Sequence, residues 1–251
     1  MSKIRQFRKI ILHRRIMSFT YPKPRRDPSV LEDHFGHSLP DPYRWMEDPD
    51  AEETKDFVKS QNEVSQPFIA NCPDRPKITK ELTKLKDYPK FSIPSRHGEN
   101  YFINMNSGLQ NQSVMYKQNS LKSEPQEFLD PNSLSSDGTV ALVRRAFSFD
   151  GNLLAYGLSS SGSDWFTIHI RDVKTGQDLP DKLEKAKFSG IEWTKDNKGF
   201  FYGCYPETSD DATGTQAGEL SNQKIFYHRV GTEQKDDIKV VEFKDHPKWM
   251  L

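Results

Sequence analysis

The chain has 251 residues with 36 Lys or Arg against 36 Asp or Glu, a formal net charge of zero and a mean hydropathy of −0.82. That balance excludes a chain that is basic throughout, as many nucleic-acid binders are, and an acidic tail protein. The 12% of aromatic residues is too high for a disordered chain. The charge is unevenly spread: nine basic residues and no acid fall between Met1 and Arg26, so the remainder carries the excess of acid.

The first element in chain order is a basic amphipathic pattern over residues 1–17, with Ile4, Phe7 and Ile11 on one helical face between Arg and Lys. An acid-free, Arg-rich opening has the character of a mitochondrial presequence, the alternative to an unstructured extension in a cytoplasmic protein. No run approaches the ~20 apolar residues of a membrane span, and neither a membrane nor a nucleic-acid partner is expected. A Pro-rich extended stretch follows, through Tyr21-Pro22-Lys23-Pro24 to Asp41-Pro42-Tyr43. Asp48-Pro49-Asp50-Ala51-Glu52-Glu53 predicts a helix start, with Asp48 as cap, Pro49 at the first helical position and acids at the positive end of the dipole. This helix is expected to run to about Gln66, with Phe57, Val64 and Phe68 near one face and Pro67 at its end. A second helix is predicted from Pro76 to Asp87, with Ile78, Leu82 and Leu85 in register.

From Phe91 the period changes to short β-type runs: 101–105, 114–117, 167–170 and 225–228. Two segments look alike, Phe147 to Tyr156 and Trp193 to Tyr202. In each an aromatic and a small hydroxyl residue precede an Asp-centred turn, Asp150 or Asp196, which leads into an apolar strand. A unit of several short strands repeating every ~50 residues is the signature of a β-propeller blade, and the chain has room for about three.

Residue chemistry alone yields no active site. There is no G-x-S-x-G nucleophile elbow and no phosphate loop, and the Ser-rich loop from Gly157 to Asp164 is expected to join two strands. His34 and His37 lie near acids but in a Pro-broken segment, so a hydrogen-bonded turn is expected there in place of a metal site. Cys72 and Cys204 are expected as free thiols.

The run Asp33-His34-Phe35-Gly36-His37, then Asp41-Pro42-Tyr43-Arg44-Trp45-Met46-Glu47-Asp48-Pro49-Asp50, resembles the N-terminal signature of the prolyl oligopeptidase (prolyl endopeptidase) family. So do Asp87-Tyr88-Pro89-Lys90, Thr139-Val140-Ala141-Leu142, Ala155 to Ser159 with Ser161-Gly162-Ser163-Asp164-Trp165, and Pro247-Lys248-Trp249-Met250. The match is collinear from about Tyr21 to Met250. It implies a serine endopeptidase that cleaves short peptides after proline and uses no cofactor. The family's seven-bladed propeller is inserted into an α/β-hydrolase domain built from a short N-terminal arm and the C-terminal third.

On that basis the fold is expected to be mainly β after an α-rich start. Residues 1–20 are a basic extension, 21–87 the hydrolase arm, and 88–251 the first three blades. The resemblance implies that the catalytic Ser, Asp and His belong to the C-terminal hydrolase domain, a partner in cis, so this chain holds no catalytic residue and is expected to be inactive alone. The alternative is a non-catalytic short isoform that binds a peptide or protein. Phe188 and Met250 match apolar residues lining the pocket for the substrate residue two before proline, and Asp164 matches an acid near that cavity.

Overall fold

The structure, a computed structural model, describes residues 19–206 and 220–250. The basic helix expected over 1–17 lies outside the described residues. The described chain divides into two compact units, one ending at Arg75 and the other beginning at Pro76.

The first unit contains a hairpin, β1 (Leu31–His34) with β2 (His37–Pro40), a 3-10 turn (Arg44–Glu47) and the helix α1 (Glu52–Ala70). The hairpin turn is closed by the Gly36 amide donating to Asp33 Oδ1 at 3.1 Å, and His34 reaches Glu32 at 2.8 Å. Three helix details differ from the sequence reading. Pro49 is not the first helical residue, since it lies in the turn ahead of a helix that begins at Glu52. The Asp48 carboxylate accepts from the amides of Asp50 (2.9 Å) and Ala51 (3.2 Å), so it closes a turn ahead of the helix, and the cap position falls to Ala51, which has no side-chain bond to offer. Pro67 does not end α1: it lies inside the last turn, where it removes one amide donor while its own carbonyl still accepts from Asn71 at 3.0 Å.

The Pro-rich segment is tied to α1 by polar contacts. Arg25 forks onto Glu53 at 2.7 and 3.0 Å, Trp45 Nε1 donates to the Arg25 carbonyl at 2.9 Å, and Gln61 donates to the Pro22 carbonyl at 2.7 Å. Thr54 Oγ1, whose residue is buried, donates to the Trp45 carbonyl.

The second unit opens with α2 (Arg75–Lys86), whose first residue is the last of unit one. Its Ile78, Leu82 and Leu85 are all exposed. Two antiparallel sheets follow. The first holds β3 (Lys90–Phe91), β4 (Ser95–His97), β5 (Asn100–Asn106), β6 (Val114–Gln118) and β7 (Gln126–Leu129), in the order β3-β5-β6-β7 with β4 also on β5. The second holds seven strands in chain order: β8 (Ala141–Phe147), β9 (Leu153–Ser159), β10 (Trp165–Asp172), β11 (Asp178–Trp193), β12 (Gly199–Cys204), β13 (Lys224–Arg229) and β14 (Ile238–Val241). All four predicted β runs are strands. Among the described residues neither sheet closes on itself, and no helix is long and apolar enough to cross a membrane.

The strand β11 explains how one seven-stranded sheet arises from a repeat of four. Its first part pairs with β10 from Asp178 to Lys187, and its last part, Ile191 to Trp193, pairs with β12. The backbone takes positive φ at Lys185 (60°), inside the first part, and at Phe188 (49°), between the two, and the register slips between Ala186 and Ile191, so one strand ends one meander and begins the next.

The two look-alike segments fold alike. Ser148 Oγ and Thr194 Oγ1 each donate to the aspartate two residues on at 2.6 Å, and the amides of Ser148 and Thr194 each bond across the turn at 2.9 Å, to Leu153 and Gly199. One turn also touches the next, with the Asp150 amide on Asn197 Oδ1 at 3.2 Å. Gly151, at φ 72°, packs so closely on the His97-Gly98 turn that an added Cβ would stand 2.4 Å from the Gly98 nitrogen.

Two apolar cores result. One gathers Phe166, Ile168, Ile170, Leu183, Ile191, Trp193 and Phe200 within the seven-stranded sheet. The other joins Phe102, Met115, Phe128 and Leu129 of the first sheet to Leu154, Tyr156 and Val173 of the second. Each such side chain, once buried, contributes roughly 1.5–3 kcal/mol. Polar ties cross the same junction: Arg171 forks onto Asp178 and donates to the Phe128 carbonyl at 2.6 Å, and Lys117 donates to the Val173 carbonyl at 2.8 Å.

Candidate functional site

The Ser-rich loop joins β9 to β10, as its composition predicts. Ser159 Oγ donates to the Ser163 carbonyl, Ser163 Oγ accepts from the Trp165 amide at 3.1 Å, and the Ser161 amide reaches the Thr139 carbonyl at 3.2 Å. These bonds fix the loop exit, where Asp164 is exposed immediately before the buried Trp165.

Trp165 pairs across the sheet with Lys187, and Phe188 follows Lys187 at the bend of β11. The positive φ at Phe188 turns this residue out of the pleat, leaving it 46% exposed in a strand whose neighbours are mostly buried. Lys187 Nζ sits 5.0 Å from the Trp165 ring centre and 5.1 Å from that of Phe188, a cation held over two aromatic faces. The Lys187 carbonyl accepts from Gln223 Nε2 at 3.2 Å, and the neighbouring Asn222 amide donates to the Pro247 carbonyl at 2.6 Å. Next along the chain, His246 stacks on Trp249 at 3.9 Å, and Met250 follows, 68% exposed.

The structure therefore brings Asp164 and Phe188 to the same end of one antiparallel cross-strand pair. Met250 is joined to that pair through Gln223, Asn222 and Pro247. A cavity of about 460 Å³ is walled by Trp165 itself with Leu158, Ser163, Phe166 and Lys185 among others; Phe188, Asp164 and Met250 are not in its wall. Trp165 Nε1 and Tyr205 OH are buried without a hydrogen-bond partner among the described residues, and their rings meet edge to face at 5.6 Å. Burial pushes the Tyr205 phenol above its ordinary value.

The sequence reading did not single out Lys187, Gln223 or the ring of Trp165. Trp165 sits in the recognised motif, but a lysine beside a phenylalanine carries no signal until β11 bends.

Elsewhere one histidine has two carboxylate partners. His228 is fully buried, with Nδ1 2.7 Å from Asp237 Oδ1 and Nε2 2.9 Å from Asp181 Oδ1; Tyr202 OH donates to the other Asp237 oxygen at 2.7 Å. Burial pulls the His228 pKa down, but the bonds to Asp237 and Asp181 outweigh it and the net shift is upward. Both ring nitrogens are engaged by carboxylates and the ring is inaccessible, so this cluster locks β11, β13 and the turn before β14 together and has no free nitrogen to act as a base. The Cys204 thiol, a free cysteine like Cys72, is pushed up to about 12, mainly by burial, and is no nucleophile at neutral pH. No group of three or more His, Cys, Asp or Glu is placed to hold a metal among the described residues.

Comparison with known proteins accounts for nearly the whole chain. The family model described as "Prolyl oligopeptidase, N-terminal beta-propeller domain" matches residues 22–251. Prolyl oligopeptidase A of Amanita bisporigera is 39% identical across 94% of this chain and 35% of its own length. A prolyl endopeptidase of Elizabethkingia miricola is 36% identical across 93% of this chain and 32% of its own. Among solved structures, prolyl oligopeptidase B of Galerina marginata, bound to a 35mer hydrolysis and macrocyclization substrate, superposes with a TM-score of 0.76 at 32% identity. It covers 92% of this chain and 35% of that one. The chain thus spans about a third of the length of the relatives it matches.

Proposed function

The chain belongs to the prolyl oligopeptidase family, over the region of its N-terminal β-propeller domain, and from that premise we propose that it is the propeller-bearing part of a serine endopeptidase that cleaves short peptides on the carboxyl side of proline. Residues 21–87 are assigned to the N-terminal arm of the hydrolase domain and 88–251 to three blades: β3 to β7, β8 to the first part of β11, and the last part of β11 to β14. In this reading the C-terminal hydrolase domain supplies, in cis, the serine nucleophile, the histidine base and the aspartate that orients it. The propeller contributes peptide contacts but no bond-making group. The chain alone binds peptide and does not hydrolyse it.

The reading is carried by the outward-turned Phe188 beside the buried Trp165–Lys187 pair, with Asp164 at the same pair. An aromatic held in a left-handed backbone conformation at a bulge is costly, by about 1–3 kcal/mol, and such strain gathers where a side chain must be presented. Phe188, with Met250, offers apolar contact to the residue two before proline; Asp164 and Lys187 bring opposite charges to the peptide ends.

The test is a short fluorogenic peptide with proline before the scissile bond, offered to the purified 251-residue protein. Saturable binding without turnover is expected, weakened several-fold by Phe188→Ala. Turnover blocked by a serine-reactive phosphonate would overturn the assignment of catalysis to the other domain. Binding that ignores Phe188→Ala would overturn the peptide site.

A further inference from the structure

The strand β8 carries two consecutive arginines that are used in opposite ways. Arg144 is committed to the fold: its Nε donates to the Ser189 carbonyl and its Nη1 to the Val143 carbonyl, both at 2.9 Å, and its guanidinium lies 5.8 Å from the Phe166 ring centre. The side chain of Arg145, pointing to the opposite face of the strand, makes no hydrogen bond, ion pair or ring contact among the described residues. It lines two adjoining cavities of about 430 and 290 Å³ between β8 and the first sheet. Those cavities share Ser92, Asn104 and Arg145, and the larger one also has Lys90, Gln112 and Ser113 in its wall.

No carboxylate among the described residues lines either cavity. Lys90 is held in place by the carbonyls of Lys86 (2.8 Å) and Gly108 (2.5 Å), which orient its ammonium but leave its charge uncancelled. The cleft therefore gathers two positive charges and several amide and hydroxyl donors, with no carboxylate among the described residues in its wall. Such a concavity focuses positive potential and raises the local concentration of anions. A guanidinium fork matches two oxygens of a carboxylate or phosphate, and Lys adds a point charge.

We propose that this cleft, with Arg145 as its anchor and Lys90 as its second cation, is a binding site for a small oxyanion group, the carboxylate of a peptide terminus or a phosphate. The site stands apart from the peptidase reading, since it requires neither the hydrolase domain nor bond cleavage and uses none of Phe188, Asp164 and Met250.

The full 251-residue chain, titrated by calorimetry at low salt, tests it with inorganic phosphate in one arm and an acetylated dipeptide, as free acid and as amide, in the other. Saturable binding is expected for phosphate, for the free acid, or for both, and which of them binds identifies the source of the oxyanion. The amide is expected not to bind. Arg145→Gln should weaken the bound oxyanion by at least about ten-fold, the loss of a charge-assisted contact, while Lys195→Gln, an exposed cation elsewhere, leaves it unchanged. Arg145→Lys keeps the charge without the fork and should fall between. Because Arg145 is exposed, near-UV circular dichroism of each variant should match the parent. Failure of both anions to bind, equal binding of acid and amide, or equal losses from Arg145→Gln and Lys195→Gln would overturn the site.

Discussion

The unit that ends at Arg75 and the β-rich unit after it are held by different forces. In the first, the described residues include no buried hydrophobic side chain. Thr54 is its one buried residue, and Leu31, Phe35, Leu39, Val58, Phe68 and Ile69 are exposed while Arg25, Trp45 and Gln61 do the tying. In the second, every buried hydrophobic residue of the described chain falls between Phe102 and Tyr205. Helices of about this length gain most of their stability in proteins from a packed apolar face. The apolar faces of α1 and α2 are thus left exposed, whereas the central strands of the sheets bury theirs and expose apolar residues at edges such as Phe91, Ile238 and Val240. In the reading proposed above, the cover of the helix faces is the rest of the hydrolase domain.

This contrast sharpens or breaks under mutation. The largest loss is expected from His228→Gln, which strands the buried carboxylates of Asp181 and Asp237 and should cost about 3–5 kcal/mol; the midpoint of urea unfolding, followed by tryptophan fluorescence, measures it. Leu183→Ala opens a hole in the core of the seven-stranded sheet and should cost about 2–5 kcal/mol by the same measurement. Gly151→Ala puts a Cβ against Gly98 in a left-handed backbone and should cost about 1–3 kcal/mol.

A pH series separates the charged lock from plain packing. Because the folded pKa of His228 is raised, its contribution is fully present below the ordinary histidine value of about 6.5 and fades as pH climbs through the raised value. His97 has the opposite sign: burial, helped by the charge of Arg145, lowers its pKa, so stability falls as pH drops below about 6.5. Thermal midpoints should therefore peak near neutrality, and His228→Gln should flatten the alkaline limb only. The smallest effect is expected in the first region of the second unit, where Leu82→Lys on the exposed stripe of α2 should stay within about 0.5 kcal/mol. A loss there as large as that of Leu183→Ala would break the comparison.

Much of the architecture is legible in the residues because local patterns suffice for it. The alternation in 101–105 and 225–228 and the repeated hydroxyl-Asp turns are short-range codes, and each turn is satisfied within six residues. The capping reading failed at Asp48 for an equally local reason: its carboxylate found the amides of Asp50 and Ala51 before those of the helix. Pro67 was tolerated because a proline near the end of a helix forfeits a single bond.

The site was less legible. Phe188, Met250 and Asp164 enter through resemblance, and nothing in their spacing shows that Asp164 and Phe188 come together at one end of a cross-strand pair while Met250 is joined to it through Gln223 and Asn222. The same holds for Arg144 and Arg145, identical in sequence context and opposite in use.

From its sequence alone this chain determined its family, its α-then-β order and its strand repeat, since periodicity and turn chemistry act between near neighbours. The tertiary structure decided which aromatic turns outward at the bend of β11, which histidine is locked between two carboxylates 47 and 9 residues away, and which of two adjacent arginines has no side-chain partner among the described residues. Those outcomes depend on contacts between strands distant in the chain, where pairing register and burial, not residue type, set the environment of each charge.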